Sequence, residues 1–175
     1  MAEEIRKYQN AVDVIKTAIL QSQARAAKAV NQEQLALYYG IGRYVSANSR
    51  KKNWGKGAID TISEQLRKEL PGLRGFSARN IKNMRTFFEE WHMIELQNSA
   101  VTTADFADEE EIRQLQLANL PNFPLREFLS ISFTHHIAIL TKAKTYEERV
   151  FYMKYADGYK PTVEDLRSWV CTMRI

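Results

Sequence analysis

The sequence predicts an all-α protein, and three observations carry that prediction. Apolar residues recur at spacings of three and four along most of the chain, and no stretch shows the sustained alternation of a strand. Seven glycines and four prolines in 175 residues are also too few for the many tight turns of a β-protein. The hydrophobic fraction of 45% is ordinary for a globular chain and sufficient for one core. The architecture expected is a multi-helix domain with an N-terminal helical hairpin and a helix-turn-helix-like unit.

The first thirty residues carry Ile5, Val12, Ile15 and Ile19, then small Ala24 and Ala27, at helical spacings and with no glycine or proline. They read as one long helix. Asn31 has the chemistry of an N-cap, Gln34 can reach back to it, and Val30 can staple against Leu35, so a second helix is expected to start there and close a hairpin. It runs through Leu35, Tyr38, Tyr39, Ile41 and Val45, where Gly40 and Gly42 permit close helix approach. Neither glycine belongs to a phosphate loop, which would need a preceding strand and a richer glycine spacing.

Trp54-Gly55-Lys56-Gly57 breaks the pattern. Ala58, Ile59, Ile62, Leu66 and Leu70 then mark a helix closing before Pro71-Gly72. After the turn Leu73-Arg74-Gly75-Phe76, Ser77 caps a helix whose Ile81, Met84, Phe88 and Trp91 share one face, with Phe76 as a staple onto Ile81. Helix, glycine-containing turn, helix is the outline of a helix-turn-helix. Residues 94–108 read as a loop or insertion, and the acidic run Asp108 to Glu111 suits the first turn of a helix through Leu117. Three further helical stretches follow over residues 125–142, 145–155 and 162–173, with capping boxes at Thr145/Glu148 and Thr162/Asp165. The organisation expected is a hairpin plus basic unit over residues 1–93, the loop over 94–108, and a C-terminal helical part over 109–175 that packs on the first.

Cys171 is the only cysteine, which excludes an intrachain disulfide and any multi-cysteine zinc site, and it is expected to be an inert, partly buried thiol. The charged N-terminus meets no long apolar run, and no stretch approaches the ~20 apolar residues of a membrane span. No signal peptide or membrane partner is expected, and the expected location is the cytoplasm. Adjacent His135 and His136 point about 100° apart on a helix and cannot share a metal as an i, i+4 pair can. No Asp followed by a Glu-x-Lys strand supplies a nuclease core. No catalytic residue, metal or cofactor is expected.

Charge is where the chain is uneven. Residues 50–85 hold ten cations and three acids, a local +7, whereas residues 94–128 hold seven acids and two cations, a local −5. The first region suits an anionic partner. On the helix after Ser77, Arg79, Lys82, Asn83 and Thr86 fall opposite the apolar face, an inventory suited to phosphate and base-edge contacts in a major groove. Arg74 in the turn and Lys51, Lys52 and Lys56 in the preceding loop flank it with phosphate contacts. Aromatics such as Tyr38, Tyr39, Trp54, Phe151, Tyr152 and Tyr155 read as core rather than as base-stacking platforms.

The stretches Ala27-Lys28-Ala29-Val30-Asn31, Leu37-Tyr38-Tyr39-Gly40-Ile41-Gly42, Trp54-Gly55 and residues 73–81, with Phe133-Thr134-His135-His136 and residues 146–152, resemble the N-terminal domain of bacterial YhcG-type proteins. In that family this helical domain, described as a DNA-binding module, precedes a nuclease-like domain of the PD-(D/E)xK class. The resemblance carries no catalytic residue onto these 175 residues. It implies a non-catalytic module that binds DNA, with a nuclease domain or subunit as associate. The DNA is expected to be duplex, and a homodimer is expected because the apolar positions of the long N-terminal helix exceed what one short partner helix covers. The alternative reading is a protein-protein interaction or oligomerisation module of a nuclease or defence system.

Overall fold

The computed structural model describes residues 2–50, 54–98 and 123–172, and all regular structure among them is helical. The elements are α1 (Ala2–Arg50), α2 (Ala58–Glu69), α3 (Ala78–Asn98), α4 (Leu125–Ser130), α5 (Phe133–Lys142), α6 (Tyr146–Tyr159) and α7 (Val163–Thr172).

α1 corrects the expected hairpin. No glycine or proline precedes Gly40, so nothing in the first four-fifths of the helix interrupts its hydrogen-bond ladder. Asn31, with its cap-like chemistry, is used instead for tertiary contact: its Nδ2 donates to the carbonyls of Leu129 at 3.0 Å and Ile131 at 3.1 Å, joining α1 to the α4–α5 junction. Val30 is 68% exposed and staples nothing onto Leu35, which is fully buried. Gln34 donates to the Tyr38 hydroxyl rather than reaching back.

Two other boundaries move. α3 continues through Asn98, so residues 94–98 are helical and not loop; the rest of the expected loop and the acidic helix after it lie outside the described residues. The stretch over residues 125–142 is two helices. Ile131 takes extended backbone, φ −90° and ψ 152°, and the Ser132 hydroxyl accepts from His135 N, which starts α5 afresh. The other caps form where the sequence places them. The Ser77 hydroxyl accepts from Asn80 N, and Thr145 and Glu148 complete a reciprocal capping box. At Thr162 half the box forms, since its hydroxyl accepts from Asp165 N while donating to the Asp165 carboxylate.

The core is aromatic and lies where α3 meets the C-terminal helices. Trp91, Phe87 and Phe128 are fully buried with Leu35, Met84, Ile139 and Leu166. Phe87 stacks on Phe128 at 5.7 Å, and Trp91 meets Phe128 edge-on at 5.3 Å. The second half of α1 lies along α3, and Gly42 sets their approach: a Cβ there would overlap the Met84 carbonyl. A smaller cluster, Val45, Ile59 and Ile81, seats α2. Phe76 turns away from Ile81 and packs edge-on against Tyr38 in the main core.

His136 is buried among these rings. Its Nε2–H donates to the Phe128 carbonyl at 2.9 Å, and desolvation pushes its pKa down to about 3, so the imidazole is neutral. Its Nδ1, like Trp91 Nε1, is buried without a hydrogen-bond partner. Arg149 ties α6 to α3 through Glu90, 2.6 Å away. Cys171 is exposed, because Leu166 and Val170 occupy the buried face of α7. Phe151, expected in the core, is 45% exposed, while its neighbour Tyr152 takes the buried position.

Candidate nucleic-acid interface

The connection from α2 to α3 is longer than the three or four residues of a compact helix-turn-helix, running from Leu70 to Ser77. Gly72 and Gly75, with φ of 88° and 90°, make its two reversals in a backbone region that side chains disfavour. At Gly75 there is a second constraint, since a Cβ would press on the Tyr38 hydroxyl at 2.8 Å. Asn80 holds this turn from inside, its Nδ2 donating to the Gly75 carbonyl. The first turn of α3 is thereby fixed, with Arg79 exposed on it.

In front of that turn lies a cleft of about 740 Å³ between α3, α5 and α7. Arg79 and Asn83 line it, as the sequence placed them. Three residues that the sequence did not mark as site residues join them: Thr134 at the start of α5, Lys142 at its end, and Arg167 on α7. Phe133, Ile137 and Ala138 form the apolar floor. A second hollow of about 230 Å³ lies on the other side of the turn, lined by Arg67 of α2 and by Arg74, and the two share Gly75 and Ser77. Five cations therefore ring the start of α3, and among the described residues no carboxylate lines either hollow, although Arg167 meets Glu164 on its own helix at 3.2 Å.

The remaining expected site residues divide. Lys82 is exposed but turns toward α2, 3.4 Å from Asp60; both partners are about half exposed, and such a surface pair contributes little. Thr86 is exposed, and its hydroxyl is occupied in a bond to the Lys82 carbonyl. Lys56 is exposed in the turn before α2 and lines neither hollow. Lys51 and Lys52 lie outside the described residues. Arg85, counted in the basic region, is withdrawn toward Glu89 at 3.9 Å. Trp54 meets Tyr44 edge-on at 5.8 Å, and Tyr39 packs on Phe87 and Phe88, as core aromatics do. His135 bridges Ser132 and the Pro161 carbonyl, orienting the entry to α7.

Chemically, the cleft offers guanidinium and ammonium groups, amides, hydroxyls and the positive end of a 21-residue helix, a set that holds anionic oxygen. Lys142 and Arg167 were not legible as site residues, because each stands alone in a stretch of mixed charge and lies some 60 to 90 positions from Arg79. Only the packing of α5 on α3 and of α7 on α5 brings them there.

No helix among the described residues is long and apolar enough to cross a membrane. Neither a curated protein nor a solved structure matches the chain. A family model does: that of the DUF1016 N-terminal domain matches residues 14–174, which takes in α2 to α7, most of α1 and the whole of the cleft, and the chain belongs to that family, the N-terminal domain of the YhcG-type proteins.

Proposed function

We propose that this domain binds duplex DNA without catalysis of its own, through the cations gathered at the start of α3, and that it serves an associated PD-(D/E)xK nuclease-like domain. The single observation that carries the reading is the convergence of Arg67, Arg74, Arg79, Lys142 and Arg167 on hollows that no carboxylate among the described residues lines. Cations brought together from four helices and a turn, of which Arg167 also meets Glu164 on its own helix at 3.2 Å, suit a ligand with regularly spaced phosphates. Asn83 and Thr134 supply neutral donors and acceptors beside them.

The test is a salt titration of duplex binding, followed by fluorescence anisotropy, for the parent chain, Arg79→Ala with Lys142→Ala, and Lys82→Ala. The double variant should keep its thermal stability to within about 0.5 kcal/mol, since both side chains are exposed. Its affinity should fall, and the slope of log affinity against log salt should shrink by about 0.9 per lost phosphate contact, nearly two in all. Lys82→Ala, already engaged with Asp60, should change the slope less. Unchanged affinity and slope in the double variant would remove the cleft from the interface and favour the protein-interaction reading. That reading has its own support in an aromatic group that lines neither hollow, where the partly buried Tyr155 stacks on exposed Tyr159 at 4.6 Å and meets exposed Trp169 at 4.8 Å.

A further inference from the structure

Every residue of α1 from 12 to 30 is exposed. At 1.5 Å per residue this is an arm about 28 Å long, leaving the body at Asn31. A solitary surface helix is expected to be polar; this one is not. Val12, Ile15 and Ile19 are 54%, 58% and 50% exposed. With Ser22, Ala26 and Ala29 they form one line at alternating spacings of three and four, the a and d positions of a heptad, and no charged residue falls on it. The line changes character along its length, since its outer three residues are β-branched and its inner three small.

From this we infer that the arm pairs with the same arm of a second copy, antiparallel, about a two-fold axis crossing between residues 20 and 21. In that register Val12 faces Ala29 of the second copy, Ile15 faces Ala26, and Ile19 faces Ser22. All six layers then join a branched residue to a small one, and the seam has an even width. Parallel pairing in register would instead stack branched on branched at one end and leave Ser22, Ala26 and Ala29 facing their own kind across a gap. Charge selects the same answer. The antiparallel register sets Lys16 beside Gln23 and Arg25 beside Ala18 of the second copy, whereas a slip of one heptad would set Lys16 against Lys16. Beyond the seam, Val30 and Leu37, seven residues apart and both exposed, continue apolar surface along α1 where the second copy's helix runs on. The contact is isologous, so it closes as a dimer.

The experiment measures mass by sedimentation and light scattering on the full chain over a range of concentrations. Twice the chain mass of 20.3 kDa is expected, and the expected result for Ile15→Glu with Ile19→Glu is the single-chain mass with an unchanged melting profile of the body. Direction is read in a Cys171→Ser background. Mixed Ile19→Cys and Ser22→Cys chains should form a cross-linked pair under mild oxidation, while Ser22→Cys alone should not. A single-chain mass at every concentration would overturn the proposal and leave the stripe to a different protein. A dimer indifferent to the two glutamates, or efficient linkage of Ser22→Cys to itself, would overturn it equally.

Discussion

The two halves of α1 share one backbone ladder and differ in what they touch. Residues 12–30 stand wholly exposed, whereas in the following half Leu35, Tyr38, Gly42, Val45 and Ser46 are buried, and the helix lies along α3. Local sequence treats the halves alike, for both lack strong breakers before Gly40 and both carry apolar residues at helical spacings. Burial separates them. The inner half is held by packing and by its hydrogen bonds to other elements; the outer half, in a single copy, rests on helical propensity and on its continuity with the inner half. Since short isolated helices are marginal in water, the contrast teaches that helix continuity and helix stability are different properties, and mutation separates them.

The largest effect is expected in the packed half. Leu35→Ala empties a fully buried site at the main core and should cost about 2 to 5 kcal/mol. At Gly42 two terms oppose each other. Alanine is the better helix former by about 1 kcal/mol, but its Cβ would meet backbone atoms of Met84, which cannot swing aside as a side-chain tip can. Overpacking of this kind costs about 1 to 3 kcal/mol or more, so Gly42→Ala should destabilise on balance. Urea unfolding followed by tryptophan fluorescence checks both, with Trp91 in the core as reporter. A neutral Gly42→Ala would mean that α1 and α3 separate more easily than their contact implies.

An intermediate effect comes from acid. His136 is held neutral in the folded protein, with its pKa near 3 against an ordinary 6.5. Between those values the unfolded chain binds a proton that the folded chain does not. Stability is therefore unaffected by this group above pH 6.5, and as pH falls below 6.5 it is lost by up to about 1.4 kcal/mol per unit, until the folded value near 3 is reached. His136→Gln keeps a donor for the Phe128 carbonyl but cannot titrate. Its unfolding free energy should fall less steeply between pH 6 and 4 than that of the parent. Equal slopes would show that other groups govern the acid response.

The all-α class was legible in the sequence because apolar spacing reports burial directly, and the caps at Ser77 and Thr145 were legible because capping is a contact within three residues. Features made by distant partners were not. Asn31 looks identical whether its amide caps a helix or bonds the carbonyls of Leu129 and Ile131, about a hundred residues away. The break at Ile131 contains neither glycine nor proline, so the helix over residues 125–142 read as unbroken. The cleft was half legible: Arg79 and Asn83 follow from the polar face of α3, but Lys142 and Arg167 join them only through tertiary packing. Lys82 shares that face by spacing, yet its charge is drawn to Asp60 on α2.

The smallest effect is expected on the arm, at Leu20. This residue is 54% exposed and lies off the line of Val12, Ile15 and Ile19, so truncating it removes little buried area from the single chain and none of the proposed seam. Leucine and alanine are both strong helix formers, so the backbone preference scarcely changes. Leu20→Ala should accordingly shift the unfolding free energy by less than about 0.5 kcal/mol, at least fourfold below the cost at Leu35 in the same helix. The comparison requires one denaturant series under one condition, with helicity by circular dichroism and core integrity by tryptophan emission recorded together. Coincident curves for Leu20→Ala and the parent sustain the division of α1 at Asn31. A loss above 1 kcal/mol would mean that Leu20 is covered in solution on a face outside the antiparallel seam, and the division would have to be redrawn.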